Sequence, residues 1–424
     1  MKAKKFLALG LALLLSVSAA GCGASTDEST TSSEETKSEQ AVKSQKVTIE
    51  FFQPKREAVD TFNAIIKKFN EKYPDIQVKQ NTAANDVQVM QARVASNDFP
   101  DIYLRWPTSE EYKSYVKNGF IMDVTNEEFV KNSIPEIQKL FEFDGKMYGV
   151  PISMNAAGVI YNKKIFADAG VQVPTTWDEF INVCETLKSK NIIPIELTLK
   201  DAWTITTFNQ ELMGQMVSKD YFDKVIKGEA TLADSKEWKE LSEKTLKLCE
   251  YAQPDAKGAG YDQGVQEFAN GKAAMMLQGL WVVPSVKKAK ADIDLGSFAL
   301  PATNNPDDVK VVSGIDVGLN IAAKTKNPEA CKTFVAFVAS QEIAQMYTDM
   351  DKNLSAIQGV KLNDPASEGL QSMFEKGKVF NWPNHFWPAG ANDEYSKLIQ
   401  MYIAKKDVDS FSKQMDKMFK DIQK

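Results

Sequence analysis

Five of the seven tryptophans stand at strand ends or in loops beside Gly or Pro: Trp106, Trp203, Trp281, Trp382 and Trp387. Polar residues sit next to them: Arg105 before Trp106, Asp201 before Trp203, and Asn384 between Trp382 and Trp387. This combination has a definite chemistry. The C–H face of a pyranose packs on an indole, and its rim of hydroxyls needs donors and acceptors such as Asp, Asn, Gln and Arg. Two readings stay open: the rings fill separate cores, or several line one cleft. Trp106 and Trp203 directly follow strands, and open α/β sheets bind ligands beyond the carboxyl ends of their strands. Trp177 and Trp238 fall on helices and read as packing.

Other chemistries are narrowed by what the chain carries. With His385 as the single histidine, multi-histidine metal sites are excluded and any Ser-His-Asp triad would have to use that residue. No nucleophile-elbow, zincin or P-loop motif occurs. Hydrolysis by a carboxylate pair stays open, because acids are plentiful. The chain has four cysteines; Cys184, Cys249 and Cys331 match no zinc spacing and read as buried free thiols. A net charge of −6 without a basic stripe speaks against nucleic acid. No cofactor is expected.

The first 21 residues have the three parts of a signal peptide: Lys2, Lys4 and Lys5, an apolar run from Phe6, then small residues before Cys22. Cys22 stands where bacterial signal peptides resemble the lipobox, although Ala19 occupies the position that usually carries leucine. The tract to residue 45 mixes Ser, Thr, Glu and Lys with almost nothing apolar, so it is expected to stay disordered. Cys22 then reads as a lipid anchor and 22–45 as a leash. The expected location is the outer face of the cytoplasmic membrane, or the periplasm.

The body from Val47 reads as alternating strand and helix, a parallel α/β layer. "KVTIEFFQ", "DIQVKQ" and "DFPDIYLRW" are strands; "REAVDTFNAIIKKFNEKYPD" and the segment through Val87, Met90 and Val94 are helices. Asp144-Gly145 predicts a type I′ hairpin, Gly170 a helix stop, and Thr176 with Glu179 a capping box. Later strands are expected in "IIPIELTL", "NGKAAMMLQGLW", "IDLGSFALPA" and "VGLNIAA". One helix is expected over "PEACKTFVAFVASQEIAQMY", then a helical tail broken at "FNWPNHFWPAG".

Three stretches together carry a resemblance. "YGVPISMNAAGVIYNKKIFADAGVQVPTTWDEF", "FANGKAAMMLQGLW" and "GLNIAAKTKNPEACKTFVAFVASQE" resemble, in order, bacterial extracellular solute-binding proteins of family 1, the ligand-capturing parts of ABC importers. The resemblance implies an α/β, two-lobed periplasmic-binding-protein fold (type II) with a hinge and an interlobe cleft, similar to maltodextrin- and multiple-sugar-binding proteins. It implies a first lobe of 46–153 and 316–357, and a second of 156–313 and 360–424.

The implied ligand contacts are Asn155, Asp201, Trp203 and Trp281, one late aromatic from Trp382 or Trp387, and the strand-end residues Gln53, Arg56, Arg105 and Trp106. Asp316 completes the candidate set. Asn155 replaces an acid of maltodextrin binders, and "LRWPTS" lacks their Asp-Arg pair, which speaks against maltose itself. The implied role is non-catalytic capture of an oligosaccharide by a monomer that serves ABC permease subunits. A surface glycoside hydrolase or lyase, and a binder of a non-sugar solute, are the alternatives.

Overall fold

A computed structural model describes residues 46–83, 85–388 and 390–422; Cys22 and the polar tract lie outside these residues. Two sheets organise the chain, and each has its own core.

The first sheet runs Ile76–Asn81, Val47–Phe52, Ile102–Arg105, Gly318–Ile321 and Val150–Pro151. Its first three strands are parallel, joined through the helices Val59–Lys72 and Asp86–Ala95. The expected parallel layer is therefore only part of the sheet, because Gly318–Ile321 returns antiparallel beside Ile102–Arg105. On one face Ile49 and Phe51 pack against Phe62, Ile65 and Phe69 of the following helix and Phe334 of a later one. On the other face Phe52 and Tyr103 pack against Met90 and Tyr112. Burial on both sides is normal for a parallel layer covered by helices.

The second sheet runs Val379–Asn381, Val311–Ile315, Ser153–Asn162, Ala273–Gly279 and Ile193–Glu196. The ten-residue strand Ser153–Asn162 is its spine and also pairs with Leu295–Phe298 and Leu354–Ser355. Val311–Ile315 was not singled out in the sequence. The chain crosses between the two halves three times: from Pro151 to Ser153, from Ile315 to Gly318, and from the helix Gln341–Asp351, packed on the first core, to Leu354 in the second sheet.

Local chemistry explains several element ends. Asp144 and Gly145 have φ of 51° and 76°, the signs a type I′ turn requires, and join Phe143 to Lys146. Gly170 closes the helix Lys163–Ala169 at φ 68°. Thr176 accepts from the Glu179 backbone N–H as expected, but the Glu179 carboxylate reaches back to Thr175, one residue earlier than in a standard box. The single helix expected after Pro328 is two, Pro328–Val338 and Gln341–Asp351. Ser340 is extended and its hydroxyl donates back to the Phe337 carbonyl, ending the first helix before the second begins. Trp177 and Trp238 are buried in the second core, and Cys184, Cys249 and Cys331 are free thiols.

Candidate functional site

Where the two sheets face each other lies a cleft of about 580 Å³. Strand ends and helix starts supply its walls, and four of the five loop tryptophans reach it: Trp106, Trp203, Trp281 and Trp382.

Trp106 directly follows Ile102–Arg105. Its ring lies 5.2 Å from the Arg105 guanidinium, and its Nε1 donates to Asp316 Oδ1 at 3.1 Å. Arg105 itself is buried beneath, paired with Asp86 and Glu111, so it supports the ring and does not line the cleft. Gln53 is likewise buried, donating to Gln80 Oε1 at 2.9 Å between adjacent strands. Both polar side chains lie where the sheet is covered, which a single strand does not disclose.

Trp203 stands in the first turn of Ala202–Met216 and is 43 % exposed, with the Tyr261 ring 4.9 Å away. Asp201 does not line the cleft; its Oδ2 accepts from the Tyr261 backbone N–H at 2.7 Å and ties the starts of two helices together. Trp281 precedes the helix Val282–Ala289 and donates to Gln278 Oε1 at 3.1 Å. The Gly-x-Trp pattern has a steric cause: a Cβ at Gly279 would sit 2.0 Å from Trp281 Cζ3. Trp382 packs on Ala157, Val312 and Phe380 and donates to Asn155 Oδ1 at 2.8 Å.

Trp387 is elsewhere. It is 6 % exposed in the second core, between Phe222, Tyr395 and Phe419 at 5.1–5.8 Å. Three helices enclose it, so of the two late aromatics only Trp382 meets the cleft.

The charged groups are mutually compensated. Lys55, absent from the sequence-derived set, is buried with its ammonium 2.7 Å from Asp316 and 3.4 Å from Asp351. Burial opposes its charge, but the two carboxylates outweigh burial and hold it well above the ordinary lysine range. Glu57, 3.9 Å from Lys55, is pushed up by burial. Arg56 pairs with Asp262 across the cleft at 3.0 Å, and Lys288 pairs with Asp60 outside the cleft lining. His385, pushed down to about 4 by burial and by Lys113, is neutral at physiological pH. Glu57, Asp86, Thr207, Tyr261, Asp262 and Ser285 also line the cleft without having been singled out. Lys55 and Glu57 flank Arg56 in the loop after the first strand, so that loop was their signal; the others carried none.

Among the described residues no helix is long and apolar enough to cross a membrane. The chain is 29 % identical over 424 residues to the multiple sugar-binding protein of Streptococcus mutans, covering 98 % of this chain and 97 % of that protein. Its structure is similar to RafE in complex with raffinose, with a TM-score of 0.81, 26 % identity, and coverage of 89 % of this chain and 100 % of that one. Apo-RafE from Streptococcus pneumoniae gives 0.72 at 27 % identity, covering 91 % and 100 %. The family model for bacterial extracellular solute-binding proteins matches residues 54–345, more than half of the sequence. With two lobes, three crossings and a cleft between them, this chain belongs to the bacterial extracellular solute-binding protein family.

Proposed function

We propose that this chain is the lipid-anchored solute-binding component of an ABC importer and that its cleft captures a neutral oligosaccharide without altering it. The observation that carries the reading is the meeting of Trp106, Trp203, Trp281 and Trp382, from separate stretches of chain, around one cleft. Three of these indoles give their N–H to acceptors of the protein itself. That leaves flat ring surfaces for the C–H face of a sugar. Arg56 is paired with Asp262, Lys55 with Asp316, and Asp86 with Arg105, so an uncharged ligand meets no bare charge. A uronate or phosphodiester would have to break such a pair. The same pairing disfavours hydrolysis, which needs two carboxyl groups free to act.

Capture works by closure about the three crossings. A ligand shifts that equilibrium only by binding the closed form more tightly than the open one. The lobes we propose are 46–153 with 316–357 and 156–313 with 360–424; Leu354–Ser355 pairs with the second sheet, but Ile357 packs in the first core and Leu362 in the second. Lipidated Cys22 and the tract to residue 45 would hold a monomer beside its permease, since two or more acyl chains anchor stably where one does not.

Thermal melts with a panel of di- to pentasaccharides, raffinose first, test the reading. A ligand that prefers the native state raises Tm by mass action. No shift with any of them, or cleavage of the sugar on incubation, overturns it.

A further inference from the structure

One buried carboxylate joins the cleft to two of the crossings directly and to the third through a lysine. Asp316 is 5 % exposed and lies on the second crossing. Its Oδ2 accepts from Lys55 Nζ at 2.7 Å and from Ser153 Oγ at 3.0 Å, and Ser153 begins the second sheet just after the first crossing. Its Oδ1 accepts from Trp106 Nε1 at 3.1 Å in the cleft. The Lys55 ammonium also reaches Asp351 Oδ2 at 3.4 Å, and that oxygen accepts from Asn353 Nδ2 at 2.6 Å on the third crossing. The backbone repeats the pattern: Asp316 N–H donates to the Ser153 carbonyl, Ile152 N–H to Val317, and Ala356 N–H to Ile152.

We propose that the Lys55–Asp316 pair is a positioning device that locks the Trp106 ring and all three interlobe crossings to one another, so that the ring and the hinge move as a unit. The inference rests on the cleft being the ligand site. A buried ion pair is weak evidence for stability, since apolar residues of similar volume often do as well. What the carboxylate uniquely supplies is acceptance on both sides at once. An amide has one acceptor oxygen and one donor nitrogen, so at this position it can accept from the indole or from the ammonium but not from both, whatever the Ser153 hydroxyl does by turning to accept. Through Asp316, a ligand pressing on the indole acts on the crossings directly, and rotation at the crossings re-aims the ring.

Asp316→Asn tests this in the ligand-free full chain by two readouts. One is the indole N–H signal of Trp106 in a nitrogen–proton spectrum, assigned by its loss in Trp106→Phe. The other is amide hydrogen exchange of peptides spanning 150–156, 314–318 and 351–356. The expected result is a shifted indole signal, with exchange at all three crossings faster by at least about tenfold, the scale of one charge-assisted hydrogen bond. Ser153→Ala, which removes one hydroxyl and no charge, gives smaller changes in the same direction and decides the matter if Asp316→Asn does not fold. A folded variant whose crossings exchange as in the wild type, or whose indole signal is unmoved, overturns the proposal. Neither readout uses a sugar. Failure of the oligosaccharide reading would appear instead as absence of raffinose protection in the wild type.

Discussion

Trp382 Nε1 donates to Asn155 Oδ1 at 2.8 Å, joining residues 227 apart in sequence. The Asn155 oxygen therefore holds a ring in place, and its amide N–H2 is what it offers a ligand. Asn155→Ala removes both. Affinity for a cognate sugar is expected to fall by about 1–2 kcal/mol, the worth of one or two hydrogen bonds. Titration calorimetry beside a thermal melt checks this: unchanged affinity, or loss of folding in place of affinity, contradicts it.

The tryptophans separate by location. Trp203→Ala and Trp281→Ala should each weaken binding by about 1–3 kcal/mol, the scale of a lost apolar contact, with the protein still folded. Trp387→Ala should do the reverse. It opens a cavity among Phe222, Tyr395 and Phe419 and should lower stability by about 3–5 kcal/mol while the folded fraction binds normally. Denaturant unfolding paired with calorimetry distinguishes the two classes.

Arg56–Asp262 in the cleft lining and Lys288–Asp60 outside it each join an exposed residue of the first lobe to one of the second. Exposed pairs are weak and screened by salt. Even so, closure depends on small differences between open and closed forms. Raising salt should weaken affinity for a neutral sugar about twofold to fivefold, the scale of a few tenths to one kcal/mol per pair. In Asp262→Asn with Lys288→Met that salt dependence should vanish. If the wild type binds equally well at low and high salt, these pairs do not hold the closed form.

Glu196 lies on the strand Ile193–Glu196, accepts from Gln253 Nε2 at 2.7 Å, and is pushed up to about 8 by burial and by Asp255 and Glu267. A raised carboxyl keeps its proton longer in the folded chain than in the unfolded one. Its contribution to stability is complete below the ordinary glutamate range and is lost as pH rises towards about 8. Glu211, buried without a charged partner and also raised, acts in the same direction. Tm should fall between mildly acidic and mildly alkaline pH, and Glu196→Gln should flatten that fall. An unchanged slope in the variant would assign the pH dependence to other groups.

Cys22→Ser should release the protein into the medium. Fractionation of cells that still retains the variant on the membrane would rule out lipidation at that residue.

Much of the architecture was legible along the chain because its causes are local. Side chains alternating at Val47, Ile49 and Phe51, the Asp144-Gly145 turn and the Gly170 stop all act over a few residues. The Ser340 break was missed, because one hydroxyl bonding backwards outweighs a continuous apolar period. Cleft candidates were legible as types and not as places. Gln53 and Arg105 stand at strand ends that second layers cover, and no strand encodes what will lie over it.

Trp382 and Trp387 put the division most sharply. Residue type and spacing alone determined an α/β body rich in indoles beside polar groups, with turns and caps where short-range sterics demand them. Which of two rings five positions apart lines the cleft was decided only by tertiary structure: both are buried, but helices from distant parts of the chain wrap Trp387, while Trp382 donates to Asn155 on the central strand of the second sheet and lines the cleft. Burial of a large side chain depends on what arrives from elsewhere, and neighbours in sequence carry no record of it.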